Sequence, residues 1–145
     1  YSYSGPILEM NNRSSDSEES YVVAEGIYIY GYKDGKWTFY DEDGNVTREG
    51  HHVNGKMDGE WTYYNEDGQI RTEGAYKYSK DRDEYGSTFK IGLWIYYFDD
   101  GSKESEKSYN SIGDKDGKWT YYNKDGSINK IEHYKNNWKI MESEK

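Results

Sequence analysis

Short alternating runs dominate this chain. In Trp37-Thr38-Phe39-Tyr40 every residue favours extended backbone. A polar turn follows, Asp41-Glu42-Asp43-Gly44, with Gly placed to take a positive φ at the end of a type I turn. Val46-Thr47-Arg48-Glu49-Gly50 reads as the returning strand, and Asn54-Gly55 turns the chain again. The earliest run of this kind is Tyr21-Val22-Val23-Ala24. Period 2 sorts the rings onto faces. Trp37 shares a face with Phe39, and so do Trp61 with Tyr63, Trp94 with Tyr96 and Trp119 with Tyr121. We expect that face to be buried. Tyr40, Tyr64, Tyr97 and Tyr122 form a second stripe on the opposite face.

The hairpin recurs. Four segments align without gaps: 34–44, 58–68, 91–101 and 116–126. Each reads G-x-W-x-[FY]-Y, then an acidic turn closed by Gly. The invariant positions are Gly35, Trp37 and Gly44; Gly59, Trp61 and Gly68; Gly92, Trp94 and Gly101; and Gly117, Trp119 and Gly126. Steps between tryptophans are 24, 33 and 25 residues. A second half follows each segment, at Glu49-Gly50, Glu73-Gly74, Glu106-Lys107 and Glu132-His133, and Glu25-Gly26 marks a degenerate earlier unit. The repeating glutamates are expected to serve cross-strand pairing or bonds to the backbone. The fold expected is all-β: an elongated antiparallel meander of stacked hairpins, four full repeats plus a degenerate N-terminal one.

Two regions stand outside the pattern. Residues 1–20 include the apolar-free run 11–20 and are expected to be a flexible N-terminal segment. Residues 21–145 then form a single β-repeat domain. Its third unit carries an insertion at about 78–88, which includes Tyr78 and Tyr85. Insertions in repeat arrays map to loops, often on the binding side. Residue 1 is Tyr rather than Met, so we expect an N-terminal piece to have been removed. A cytoplasmic location fits, as does an envelope or secreted one if that piece was a signal.

Composition narrows the chemistry. Only 32% of residues are apolar, yet 18% are aromatic, so Tyr and Trp must supply the buried surface. The net charge of -9 argues against nucleic acid and anionic lipid as partners. No run is long enough to cross a membrane as a helix, so no integral membrane association is expected. Cys is absent, which removes disulfides, Cys-zinc sites and thiol catalysis. The turn acids do not keep the register of an EF-hand loop. His51 and His52 are adjacent and point to opposite faces of a strand, so they do not share a metal. No nucleophile elbow, Walker or metalloprotease motif occurs. We expect no enzyme activity, no cofactor and no metal.

The unit D-G-x-W-T-x-Y-x-x-D-G, followed by E-G-x-Y, resembles the bacterial variant of the MORN repeat over about Glu25 to Ile140. The resemblance implies arrays of antiparallel hairpins. Many bacterial members are described as antitoxin or immunity proteins paired with secreted toxins, and MORN repeats more broadly as scaffolding or lipid-associating modules. It supplies no catalytic residue. A rival, the choline-binding cell-wall repeat, is shorter and carries a Gly-Trp pair that is absent here.

The leading expectation is therefore a non-enzymatic protein-binding module of antitoxin or immunity type that occludes a partner, a basic toxin being favoured by the acidic charge. Candidate contacts are Tyr40, Tyr64, Tyr97 and Tyr122, with Tyr78 and Tyr85 in the insertion. The alternative is an envelope or surface scaffold that binds carbohydrate, choline-like or lipid ligands through its aromatic stripes. A third reading is self-association through the exposed edges of the sheet.

Overall fold

Connections this short join only antiparallel neighbours. The computed structural model describes residues 5–12 and 20–144. They form eleven strands: β1 Gly5–Asn12, β2 Ser20–Ile29, β3 Tyr32–Tyr40, β4 Val46–Val53, β5 Lys56–Tyr64, β6 Ile70–Ser79, β7 Ser87–Tyr97, β8 Lys103–Tyr109, β9 Gly117–Tyr122, β10 Ile128–Lys135 and β11 Trp138–Glu144. All belong to one open sheet whose order is the order of the sequence. Every pairing is antiparallel, and no helix occurs among the described residues. The all-β hairpin meander expected from the repeats is the observed fold.

The flexible N-terminal segment expected over 1–20 is corrected at Gly5–Asn12. These residues form β1 and pair with β2, from Gly5↔Tyr28 to Asn12↔Ser20. Backbone pairing with a neighbouring strand orders a stretch that has no repeat motif of its own. Ser20 opens β2, and residues 1–4 and 13–19 lie outside the described residues. The insertion is also smaller as a loop than expected. β6 and β7 extend through Tyr78↔Thr88 and Ser79↔Ser87, leaving 80–86 as the connection.

The buried layer runs along one face. Trp37, Trp61, Trp94 and Trp119 are 0%, 1%, 1% and 5% exposed, so the tryptophan face is the buried one. A single-layer sheet has no second layer to cover such rings, and the neighbouring strand does it instead. Trp61 lies over Gly50 of β4, where a Cβ would stand 2.5 Å from ring atoms Cε2 and Cγ. Gly26 beneath Trp37 and Gly74 beneath Trp94 repeat the arrangement. Each indole N–H then donates to a main-chain carbonyl of that strand: Trp37 to Ile27, Trp61 to His51 and Trp94 to Ala75, all at 3.1 Å. Trp119 donates to Ser108 at 2.8 Å. Its glycine is replaced by Lys107, and pairing between β8 and β9 shrinks to Ser105↔Tyr121 and Glu106↔Thr120.

The eight motif glycines from Gly35 to Gly126 take φ between 65° and 89°, which explains their fixed spacing. The turn acids serve the backbone. Asp41 Oδ1 accepts from the amides of Asp43 and Asn45, and Asn65 Oδ1 from those of Asp67 and Gln69. Asp34, Asp58 and Asp116 accept from the amides of Asn54, Tyr78 and Asn136, at the end of the returning strand of the same hairpin.

Candidate binding faces

The tyrosine stripe exists as a row on the face opposite the tryptophans, and its hydroxyls are engaged. Tyr64 donates to Glu49 at 3.0 Å, Tyr97 to Glu73 at 2.6 Å and Tyr122 to Glu106 at 2.6 Å. Tyr40 donates to Glu25 in the same way. Every tyrosine therefore ties its hairpin to the glutamate of an earlier strand. Lys36 and Lys103 neutralise Glu49 and Glu106 at 2.8 and 2.5 Å. The bond to Glu25 pushes the Tyr40 hydroxyl up to about 12, and burial with the Glu73 bond does the same to Tyr97. The rings stay half-buried.

Glu132 does not belong to this row, although the sequence groups it with Glu49, Glu73 and Glu106. Glu49 faces Thr38 and Glu106 faces Ile95, whereas Glu132 faces Trp119. It occupies the glycine slot, and Ile131 takes the glutamate slot. Glu132 is 4% exposed on the tryptophan face. It accepts from Tyr121 and Tyr134 at 3.0 Å and from Lys130 and Lys139 at 3.1 and 3.0 Å. Burial raises its pKa, but these four donors outweigh burial and hold it at about 2.

The insertion residues lie apart from the stripe, at the rim of the sheet. Tyr85 is 83% exposed. Tyr78 is half-buried and donates to the Tyr85 carbonyl at 3.4 Å. The loop leans on the next connection: Arg82 sits 4.2 Å from the Phe89 ring centre and donates to the Ile112 carbonyl.

Sequence reasoning missed the cations on the tryptophan face. The rings there form a chain of contacts, Tyr28–Trp37–His52–Trp61–Tyr76–Trp94–Tyr96, with centroids 4.8 to 6.4 Å apart. Tyr109, Trp119 and Tyr134 continue it. Cations lie over these rings. Lys33 stands 4.2 Å from Trp37, Lys90 4.3 Å from Trp94 and Lys115 4.8 Å from Trp119. Arg48 stands 4.4 Å from Phe39. The signal was present in the sequence, because three of the four repeats carry Lys at one fixed offset before Trp and the second carries Met57 there. His52 sits within this layer, 7% exposed, and burial with the charges of Lys33 and Arg48 pulls its pKa down to about 4.

Among the described residues no three His, Cys, Asp or Glu side chains converge in a way that would hold a metal ion. The geometry offers two fixed aromatic surfaces, one edged with carboxylates and one with cations.

No curated protein matches the sequence. The MORN repeat variant family matches four times, at residues 33–54, 57–78, 90–111 and 115–136. These stretches are the hairpins β3–β4, β5–β6, β7–β8 and β9–β10 and make up more than half of the chain. The Trp-on-Gly stacking, the turn glycines and the four matches together place this chain in the MORN repeat variant family.

Proposed function

We propose that this chain is a non-enzymatic protein-binding module of antitoxin or immunity type, which acts by covering the working surface of a partner toxin. The observation that carries the reading is the single-layer sheet. Both faces present aromatic side chains already fixed by neighbouring strands. Such side chains lose little entropy on binding and make strong anchors. Repeat arrays of this family suit binding, and a bacterial antitoxin role is the finer form of that idea. On one face the Tyr40, Tyr64, Tyr97 and Tyr122 rings are the proposed contacts, with Tyr78 and Tyr85 at the rim. The net charge of -9, with exposed acids in the turns at Glu42, Asp43, Glu66, Asp67, Asp99 and Asp100, favours fast encounter with a basic toxin.

The test is capture of partners from the source organism, then reassembly of the purified pair and assay of the partner's toxicity. A stoichiometric complex that silences the toxin and weakens on Tyr85→Ala or Tyr97→Ala supports the reading. A partner that stays active in the complex overturns the occlusion mechanism.

A second reading, self-association, is favoured by β11. Its outer edge has no strand neighbour among the described residues, and Trp138 and Ile140 are 78% and 67% exposed. Light scattering across a concentration series tests it, and a mass that stays monomeric throughout rejects it.

A further inference from the structure

The tryptophan face carries more positive charge than it neutralises. Lys33 pairs with Glu9 at 3.0 Å, and Lys130 and Lys139 pair with Glu132. Lys90, Lys107 and Lys115 have no carboxylate within ion-pair distance among the described residues. They line a run of rings instead. Lys90 lies 5.3 Å from the Tyr96 ring centre and donates to its hydroxyl at 2.6 Å. Lys107 lies 4.7 Å from Tyr96 and 5.3 Å from Trp119. Lys115 lies 4.8 Å from Trp119 and 5.1 Å from Tyr134. Each successive pair of lysines thus shares a ring. Burial pulls Lys90 and Lys107 below the ordinary lysine range; at Lys107 the charges of Lys90 and Lys115 add to that, and Glu104 and Glu132 oppose it from beyond ion-pair distance.

The fold does not demand this cluster. Met57 fills the position of Lys90 and Lys115 in the second repeat, and Gly50 and Gly74 fill the position of Lys107. A cation is attracted to the face of a ring, but three like charges around shared rings oppose one another, and Glu104 and Glu132 act on Lys107 without pairing with it.

We propose that Lys90, Lys107 and Lys115 form a docking site for a short acidic segment of a partner protein, whose carboxylates take the three ammonium groups. The proposal rests on the protein-binding reading and names one contact surface within it. Charge complementarity selects carboxylates. The lysines already cover the rings, so bases and sugars find few open ring faces to stack on. Long polyanions are excluded by the boundary. Asp99 and Asp100 close one end of these strands, Asp114 and Asp116 the other, Glu132 bounds the patch across β10, and exposed Glu104 of β8 acts on Lys107 from within the frame. A segment of a few residues fits inside that frame.

The test uses the full chain and a fluorescein-labelled peptide of about ten residues alternating Glu and Thr, followed by anisotropy at low ionic strength. Saturable binding is expected, lost on adding salt and absent for the Gln-Thr peptide. The Lys90→Met/Lys107→Gln/Lys115→Met variant is expected to bind roughly tenfold more weakly or worse. Lys77→Gln, on the opposite face, is expected to leave binding unchanged. Because Met already stands at this position in the second repeat, Lys90→Met/Lys115→Met should stay folded with a cooperative melt, shifted down by no more than the lost ring contacts. The triple Lys→Arg variant keeps charge and binding, which separates charge from folding. Equal binding by the wild-type and charge-depleted chains, or no binding by either, overturns the proposal. So does preferential binding of a thymidine oligonucleotide or of phosphatidylserine vesicles. A cellular partner that binds the charge-depleted chain undiminished overturns this site while the protein-binding reading stands. Peptide binding without any cellular partner keeps the site and removes that reading.

Discussion

Gly50 lies beneath the indole of Trp61, and no other residue fits there. A Cβ would stand 2.5 Å from two of the ring atoms, in a ring only 1% exposed whose N–H is bound to the carbonyl of His51. The tryptophan of each of the first three repeats is thereby sealed by backbone from the preceding strand. The core is assembled between hairpins, not within one, so each unit depends on its neighbour.

Gly50→Ala therefore forces the Trp61 ring off its strand. Overpacking of this kind typically costs about 1–3 kcal/mol, and loss of ring burial adds to it. Gly44→Ala is the control. Its φ is +83° with nothing near the missing Cβ, so only backbone strain of about 1 kcal/mol is expected. Urea unfolding followed by tryptophan fluorescence should rank Gly50→Ala as clearly more destabilising. Equal losses would mean that the ring moves aside at little cost.

His52 sits between Trp37 and Trp61, at 6.4 and 5.1 Å, with its Nδ1 unpaired. Burial and then the charges of Lys33 and Arg48 lower its pKa from 6.5 to about 4, against a smaller opposing effect of Glu9. The folded state thus favours neutral imidazole. That contribution is whole above pH 6.5 and is lost as pH falls from 6.5 toward 4, by roughly 3 kcal/mol at most. Tyr76 fills the same place in the next repeat, so His52→Tyr should fold and should flatten stability over this window. Denaturant midpoints measured across the window check it, and a slope unchanged from wild type would exclude His52 as its source.

Tyr97 and Glu73 hold adjacent repeats together at 2.6 Å. Tyr97→Phe removes the donor and leaves a half-buried carboxylate short of one bond. The expected cost is about 1 kcal/mol. A double-mutant cycle with Glu73→Leu, which leaves no acceptor, should recover a coupling of similar size, and zero coupling would make the bond incidental.

The repeat made the strands, the turns and the buried tryptophans legible, because each follows from period 2 and from glycines at fixed offsets. The function of the repeat glutamates was legible as structure, though not their tyrosine partners. Glu132 was misassigned because Glu132-His133 imitates Glu49-Gly50. The offset from Trp37 to Glu49 leads instead from Trp119 to Ile131, and only strand register shows that a carboxylate has replaced the glycine. β1 was missed because its pairing comes from β2 and not from its own pattern. The lysines over the rings were in the sequence at a fixed offset, but long side chains lie across strands, and the length of that reach is not a property of alternation.

Glu132 gives the lower of two acid transitions. Its carboxylate is held at about 2, against 4.5 for the ordinary group, because Lys139, Lys130, Tyr134 and Tyr121 outweigh the burial that opposes them. The contribution is present above pH 4.5 and is lost as pH falls from 4.5 toward 2. It amounts to about 3 kcal/mol at most, less the screening of the part-exposed lysines. Glu132→Gln keeps the shape, and its amide can satisfy the tyrosine hydroxyls, which rotate to accept. The lysines have no acceptor to offer and lose their counter-charge. Destabilisation of about 1–2 kcal/mol is expected at neutral pH, below the range for breaking a fully buried pair because both lysines keep contact with water. The His52 window lies above pH 4 and the Glu132 window below 4.5, so the variants should remove different parts of the acid profile. His52→Tyr should abolish the upper slope alone, and Glu132→Gln the lower. If Glu132→Gln instead changed the slope above pH 5, the two sites would be coupled through the aromatic layer that joins them.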